Sequence, residues 1–156
     1  MSEIYLENIG KCTIINIGKF MLHSNIISLH FITMYSHEDG FYNAWNLEFN
    51  VVVSKNTAQE AVAALGEALV SCVYKKSSSP KDFATLKRCM ANNECRFLWR
   101  HFNRFNQTLL QKGINLHEYT GQSAYTKNQH SYKMIISDSI EKKQTLHTQI
   151  KGGVKC

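Results

Sequence analysis

Apolar and polar positions alternate most clearly between Ile27 and Val53. Ile27, Leu29 and Phe31 alternate with Ser28 and His30, the period of a strand with one buried face. Ser36-His37-Glu38-Asp39-Gly40 interrupts the pattern with acidic and small residues ending on glycine, a turn composition. Phe41–Asn46 reads as the return strand, and Phe49, Val51 and Val53 mark a third before Ser54-Lys55-Asn56. Upstream, Cys12–Ile17 is a β-branched run closed by Gly18, which predicts a short strand on the sheet edge. Phe20-Met21-Leu22 fits a helical turn or more strand equally well.

From Ala58 the period lengthens. Thr57 and Glu60 have the S/T-x-x-E spacing of a capping box, in which each side chain satisfies a backbone N–H left open at a helix start. Ala61, Leu65, Ala68, Leu69 and Cys72 then form one stripe, predicting a helix from Ala58 to about Lys75 laid over the strands. Lys75–Pro80, holding a serine run and the only proline, is the boundary, and Ser79-Pro80 opens a short stripe of Phe83, Leu86 and Met90. A second start at Asn93 leads a helix with Leu98, Phe102, Phe105 and Leu109 inward, running to Lys112 and stopping at Gly113. Ile114–Thr120 and Ser131–Ser137 read as strands, and Asp138 with Glu141 opens a last helix from Ile140 to about Ile150.

The expected fold is therefore α+β. Residues 1–76 form a three- to four-stranded antiparallel sheet with one packed helix, and residues 77–156 form a helix-rich basic α+β half. With 44% hydrophobic and 11% aromatic residues the chain can fill a core. No apolar run is long enough to cross a bilayer and no leader pattern opens the sequence, so no membrane is expected. Five scattered cysteines favour a reducing, cytoplasmic setting over a disulfide framework.

Charge divides the chain unevenly. Residues 1–76 hold five lysines, no arginine and seven acids, net −2; residues 77–156 hold thirteen Lys/Arg and five acids, net +8. Such asymmetry points to a polyanionic or acidic partner for the second half, though a solvated basic surface gives the same totals. Arg96, Arg100 and Arg104 drift by only about 40° per step around the helix and make one stripe, which Lys87 and Arg88 extend if the helical pieces join. Arginine's planar fork can bond two phosphate or carboxylate oxygens at once. Trp99 lies off the core stripe, where an aromatic ring can stack on a base or fill a partner pocket. Each arginine alone suits an ordinary solvated helix face; as a group they favour nucleic acid or an acidic protein.

Catalytic, metal and cofactor signatures are not found. The seven histidines form no H-x-x-x-H or H-E-x-x-H pair, Cys89 and Cys95 lack C-x-x-C spacing, and no glycine-rich phosphate loop occurs.

Gly40-Phe41-Tyr42-Asn43-Ala44-Trp45-Asn46-Leu47-Glu48-Phe49, with Ser54–Val62 after it, resembles the HicB-like antitoxin module. That family pairs a G-x-Y-x-A strand with a D-T-x-x-E-A-L helix start. Tyr42 and Ala44 match the strand, and Thr57, Glu60 and Ala61 match the helix. Leu47 stands where the family often has proline, Val51 where it has glycine, and Lys55-Asn56 where it has Gly-Asp. The resemblance covers residues 25–76 and implies a β-β-β-α module of the partial RNase H type. It also implies lost nuclease chemistry and binding to a small RNA-cleaving toxin, commonly beside a DNA-binding segment.

The functional expectation is a non-enzymatic, antitoxin-like inhibitor that binds and blocks a nuclease partner, contacting DNA or RNA through its basic half, with homodimerisation open. Two alternatives remain. One is a phage or mobile-element anti-defence protein acting on a nucleic-acid-targeting nuclease complex, as anti-CRISPR proteins do; the other is a small nucleic-acid-processing enzyme.

Overall fold

The computed structural model describes residues 3–7, 9–22, 27–76, 93–122 and 131–138. In chain order its elements are β1 (Glu3–Leu6), β2 (Gly10–Leu22), β3 (Ile27–Ser36), β4 (Tyr42–Asn46), β5 (Val52–Lys55), α1 (Ala58–Lys76), α2 (Asn93–Lys112), β6 (Leu116–Gln122) and β7 (Ser131–Ser137). The α+β expectation holds, but the sheet is larger than three or four strands. Seven antiparallel strands run in the order β5-β4-β3-β2-β7-β6, with β1 also on β2. The sheet crosses the boundary at residue 76, because β7 pairs with β2 from Gly18↔Ile136 to Met21↔Lys133. The described part of residues 77–156 holds one helix and two strands rather than a helix-rich unit. Among the described helices none is long and apolar enough to cross a membrane.

The run Cys12–Ile17 is the middle of the sheet's longest strand, not an edge. On one side β3 follows β2 from Cys12 to Leu22; on the other, β1 takes Gly10–Thr13 and β7 takes Gly18–Met21. Gly18 does not end the strand. A Cβ there would lie 2.3 Å from the Ile135 carbonyl oxygen and 2.6 Å from the Phe31 ring, so glycine lets β7 and Phe31 close on β2. At Ile15 a register shift places an extra residue in β2, which swaps the faces of the residues beyond it.

Both faces of the sheet are covered. Successive residues of a strand point to opposite sides. Ile32 and Met34 of β3 join Ile14, Ile17, Trp45 and the inward stripe of α2, Leu98, Phe102, Phe105 and Leu109. Leu29 and Phe31 join Phe20, Ala44 and the α1 residues Ala61, Leu65 and Leu69 on the other side. The result is three layers, helix–sheet–helix, each helix burying one apolar stripe. The inward stripe expected for α2 is fully borne out, as are its ends; Gly113 closes the helix at φ +65, the left-handed C-terminal position. For α1 the cap holds too, with Glu60 N–H donating to Thr57 Oγ1 at 3.1 Å. Its buried stripe is wider than expected: Val62, Val70 and Val73 are buried, whereas Ala68 and Cys72 are only half-buried.

The third strand lies later than its apolar residues suggest. Asn50, at φ +55, turns the chain left-handed and Trp45 Nε1–H donates to its Oδ1 at 2.6 Å, so pairing with β4 begins at Val52↔Trp45. Over residues 27–76 the order is nonetheless β-β-β-α. The expected helices after Ser79-Pro80 and over Ile140–Ile150 lie outside the described residues.

Candidate functional site

Helix α2 is held by its apolar stripe against the sheet, which turns the opposite side to solvent. Arg96, Arg100 and Arg104 are exposed on that side, with Asn103 and Gln107 between them. Among the described residues none of the three arginines takes part in an ion pair. Their field is felt locally: His101 has its pKa lowered by burial first and then by Arg104 and Arg100, which disfavour a further positive charge. The stripe expected from the sequence is therefore an exposed ridge with no acidic partner among the described residues. Lys87 and Arg88 lie outside the described residues.

Trp99 packs at the edge of the α2-side core. It is half-buried, with its ring 5.0 Å from that of His30 and 5.5 Å from that of Phe102. Phe97 turns to His101 on the other flank, at 4.6 Å. These rings wedge the helix against β3 and leave the arginines as the ridge's free groups.

Beneath Trp99 lies a polar cluster that spacing along the chain did not reveal. Glu48, 3% exposed, follows β4 and folds back on β3. Its Oε1 accepts from the His30 backbone N–H at 2.7 Å and from Asn46 Nδ2 at 3.1 Å; its Oε2 accepts from His30 Nδ1 at 2.7 Å. Because a carboxylate only accepts, the proton on Nδ1 is assigned by its partner, and Nε2 is the nitrogen left over. A cavity of about 210 Å³ opens beside the ring, lined by Lys19, His30, Phe102, Asn106, Leu116 and Ile135. Lys19 stands directly across from His30 on β2 and makes no ion pair among the described residues. A buried carboxylate orienting an imidazole beside a lysine is chemically able to hold an anion or to accept a proton. The signal for it was weak: His30 occupied a polar position in an alternating strand, and Glu48 lies 18 residues away.

Metal chemistry has no counterpart among the described residues, where no three of His, Cys, Asp and Glu converge. Cys12 is buried and Cys72 half-buried, both as free thiols. Comparison with known proteins finds no matching family model, no matching curated protein and no matching solved structure.

Proposed function

We propose that this protein is a non-enzymatic inhibitory binding protein, antitoxin-like in action, which blocks a nuclease partner and seats an anionic surface on the outer face of α2. One observation carries the reading: Arg96, Arg100 and Arg104 form an exposed ridge with no ion-pair partner among the described residues. An acid three or four residues away would stabilise a helical arginine, and none of the three has one at that spacing. The β-β-β-α order of residues 27–76 agrees with what the HicB-like resemblance implies. An anti-defence protein acting on a nuclease complex would use the same ridge, and the identity of the inhibited nuclease separates the two.

The test is charge reversal at all three positions, with binding to labelled duplex DNA and to RNA followed over a range of salt. If the ridge meets phosphates, losing three contacts lowers the slope of log K against log salt by about 2.7 on duplex DNA. Inhibition of the nuclease partner falls in parallel if the same ridge seats it. Unchanged affinity, slope and inhibition in a variant that keeps its unfolding temperature would reject the ridge.

The Glu48–His30 pair beside Lys19 favours a second reading, a small nucleic-acid-processing enzyme. Incubation with labelled RNA and DNA, with and without divalent metal, separates it from the first. Turnover that disappears in His30→Gln and survives reversal of the arginines would replace the inhibitor reading.

A further inference from the structure

A second cavity lies on the face of the sheet opposite the arginine ridge. It has a volume of about 490 Å³, within the range of small-molecule sites, and runs between the first turns of α1 and the β6–β7 ribbon. Val62, Met134 and Ile136 give it an apolar floor, and Tyr119 and Tyr132 add aromatic surface. Tyr119 is exposed at its mouth.

Its polar lining mixes side chains that can donate, such as Gln59, Thr120 and Tyr132, with two acceptors, on Asn16 and Asp138, that have capacity left among the described residues. Asn16, only 6% exposed, lines the cavity, and its Oδ1 has no hydrogen-bond partner among the described residues. It sits on the α1 side of β2, opposite Thr33, just past the shifted register at Ile15. Leaving such an acceptor dry costs about 1–3 kcal/mol. At the rim, His117 Nε2 meets Asp138 Oδ1 at 2.7 Å, with the acid about two-fifths exposed. That bond occupies one carboxylate oxygen and leaves the other. Although the chain carries a net +6, neither lysine nor arginine is among the described residues that line the cavity. Tyr132 is kept protonated by burial and by the nearby charge of Glu67.

We propose that this cavity binds a small molecule with a primary ammonium on an apolar or aromatic body, the ammonium donating to Asn16 Oδ1 and to Asp138 and the body lying on Met134, Ile136 and the two tyrosines. An ammonium supplies three donors where the site offers unfilled acceptors. Aromatic faces also attract cations. A carboxylate-bearing ligand of equal size would meet Asp138 and find no lysine or arginine among the described lining residues to pair with. The site is on the opposite face from the arginine ridge and does not depend on the function assigned to it.

The probes are 2-phenylethylamine, benzyl alcohol and phenylacetate, which share a ring and differ in the charge of the polar end. They are titrated into isotope-labelled protein and followed by amide and side-chain NMR shifts. The amine should move the Asn16 side-chain amide and Ala63, and should bind about tenfold more tightly than phenylacetate, as one charge-assisted hydrogen bond implies. Asn16→Leu should lower amine affinity by about tenfold without lowering the unfolding temperature, since it removes an unfilled buried acceptor. Ala63→Trp, at an exposed helix position beside the mouth, should abolish binding in a folded protein whatever Asn16→Leu does to the core. Phenylacetate binding as well as the amine would overturn the proposal. So would no shift at Asn16 or Ala63 up to about 10 mM amine, which leaves the cavity to water alone.

Discussion

Removing the Glu48 carboxylate tests whether the turn after β4 is held as described. Three donors point at it: the His30 backbone N–H and Nδ1–H, each at 2.7 Å, and Asn46 Nδ2 at 3.1 Å. In Glu48→Ala they do not suffer equally. Asn46 Nδ2 keeps the His30 carbonyl oxygen at 2.9 Å, and the imidazole can rotate its proton demand toward the cavity. The His30 backbone N–H has no such escape, since β4 ends one position earlier at Phe31↔Asn46. One stranded backbone donor at about 1–3 kcal/mol, plus the lost charge-assisted bond to the ring, gives about 3 kcal/mol in total. For a chain of this size that is a fall of about 6–12 °C in unfolding temperature. Glu48→Gln should cost only about 1 kcal/mol, because its carbonyl oxygen can still accept from His30 N–H while its amide faces the other ring tautomer. Urea unfolding followed by tryptophan fluorescence reads both, and Trp99 on His30 makes the probe local. Equal losses for alanine and glutamine, or less than about 0.5 kcal/mol for alanine, would refute the claim that a stranded donor sets the cost.

Three further outcomes follow from single groups. Gly18→Ala should destabilise by about 1–3 kcal/mol in urea unfolding, because its Cβ meets the Ile135 carbonyl oxygen at 2.3 Å and β7 must shift. Cys12 has its pKa raised to about 11, by burial first and then by Asp39, so iodoacetamide at pH 8 should leave it unmodified until the chain unfolds, as read by mass spectrometry. His101 has a lowered folded-state pKa, so the unfolded chain binds more protons below the imidazole's ordinary value. Stability is therefore lost as pH falls through that value toward the lowered one, and no penalty exists above it. Reversing Arg100 and Arg104 should move the His101 titration upward by NMR; an unmoved titration would mean the ridge is screened from it.

Local patterns were legible and distant pairings were not. The stripe of α2 could be read because each inward residue is set by the next turn, and Gly113 marks its end within the same stretch. β7 could be read because Ser131–Ser137 is a bounded apolar run. β2 was misread for a physical reason. A strand covered on both faces does not need to alternate, and the extra residue at Ile15 breaks what alternation remains. Asn16 and Gly18 then look like an ending, although one lines a cavity and the other admits a neighbouring strand. The third strand slipped because a left-handed Asn50 is not visible in a run of Phe49, Val51, Val52 and Val53. His30 and Glu48 could not be paired from spacing, since their contact depends on β4 ending early and the next turn folding back.

The charge split also changes meaning once the chain is folded. Along the sequence it separates a near-neutral half from a basic one, which suggests two bodies. In space, α2 packs on strands of the first half and β7 inserts beside β2, so the halves do not lie end to end. The asymmetry runs across the sheet instead. α1 carries Glu60 and Glu67 against Lys75 and Lys76 and is formally neutral, while α2 carries Arg96, Arg100, Arg104 and Lys112 against Glu94 alone. A polyanion approaching from the α2 side meets an excess of cations that the formally neutral α1 does not offer, so attraction is directed to one face. The cavity between α1 and the β6–β7 ribbon opens on the opposite side, with the sheet between it and the arginines. Under the two proposals, one sheet separates a phosphate-facing ridge from an ammonium-binding cavity, so neither ligand competes with the other for its face.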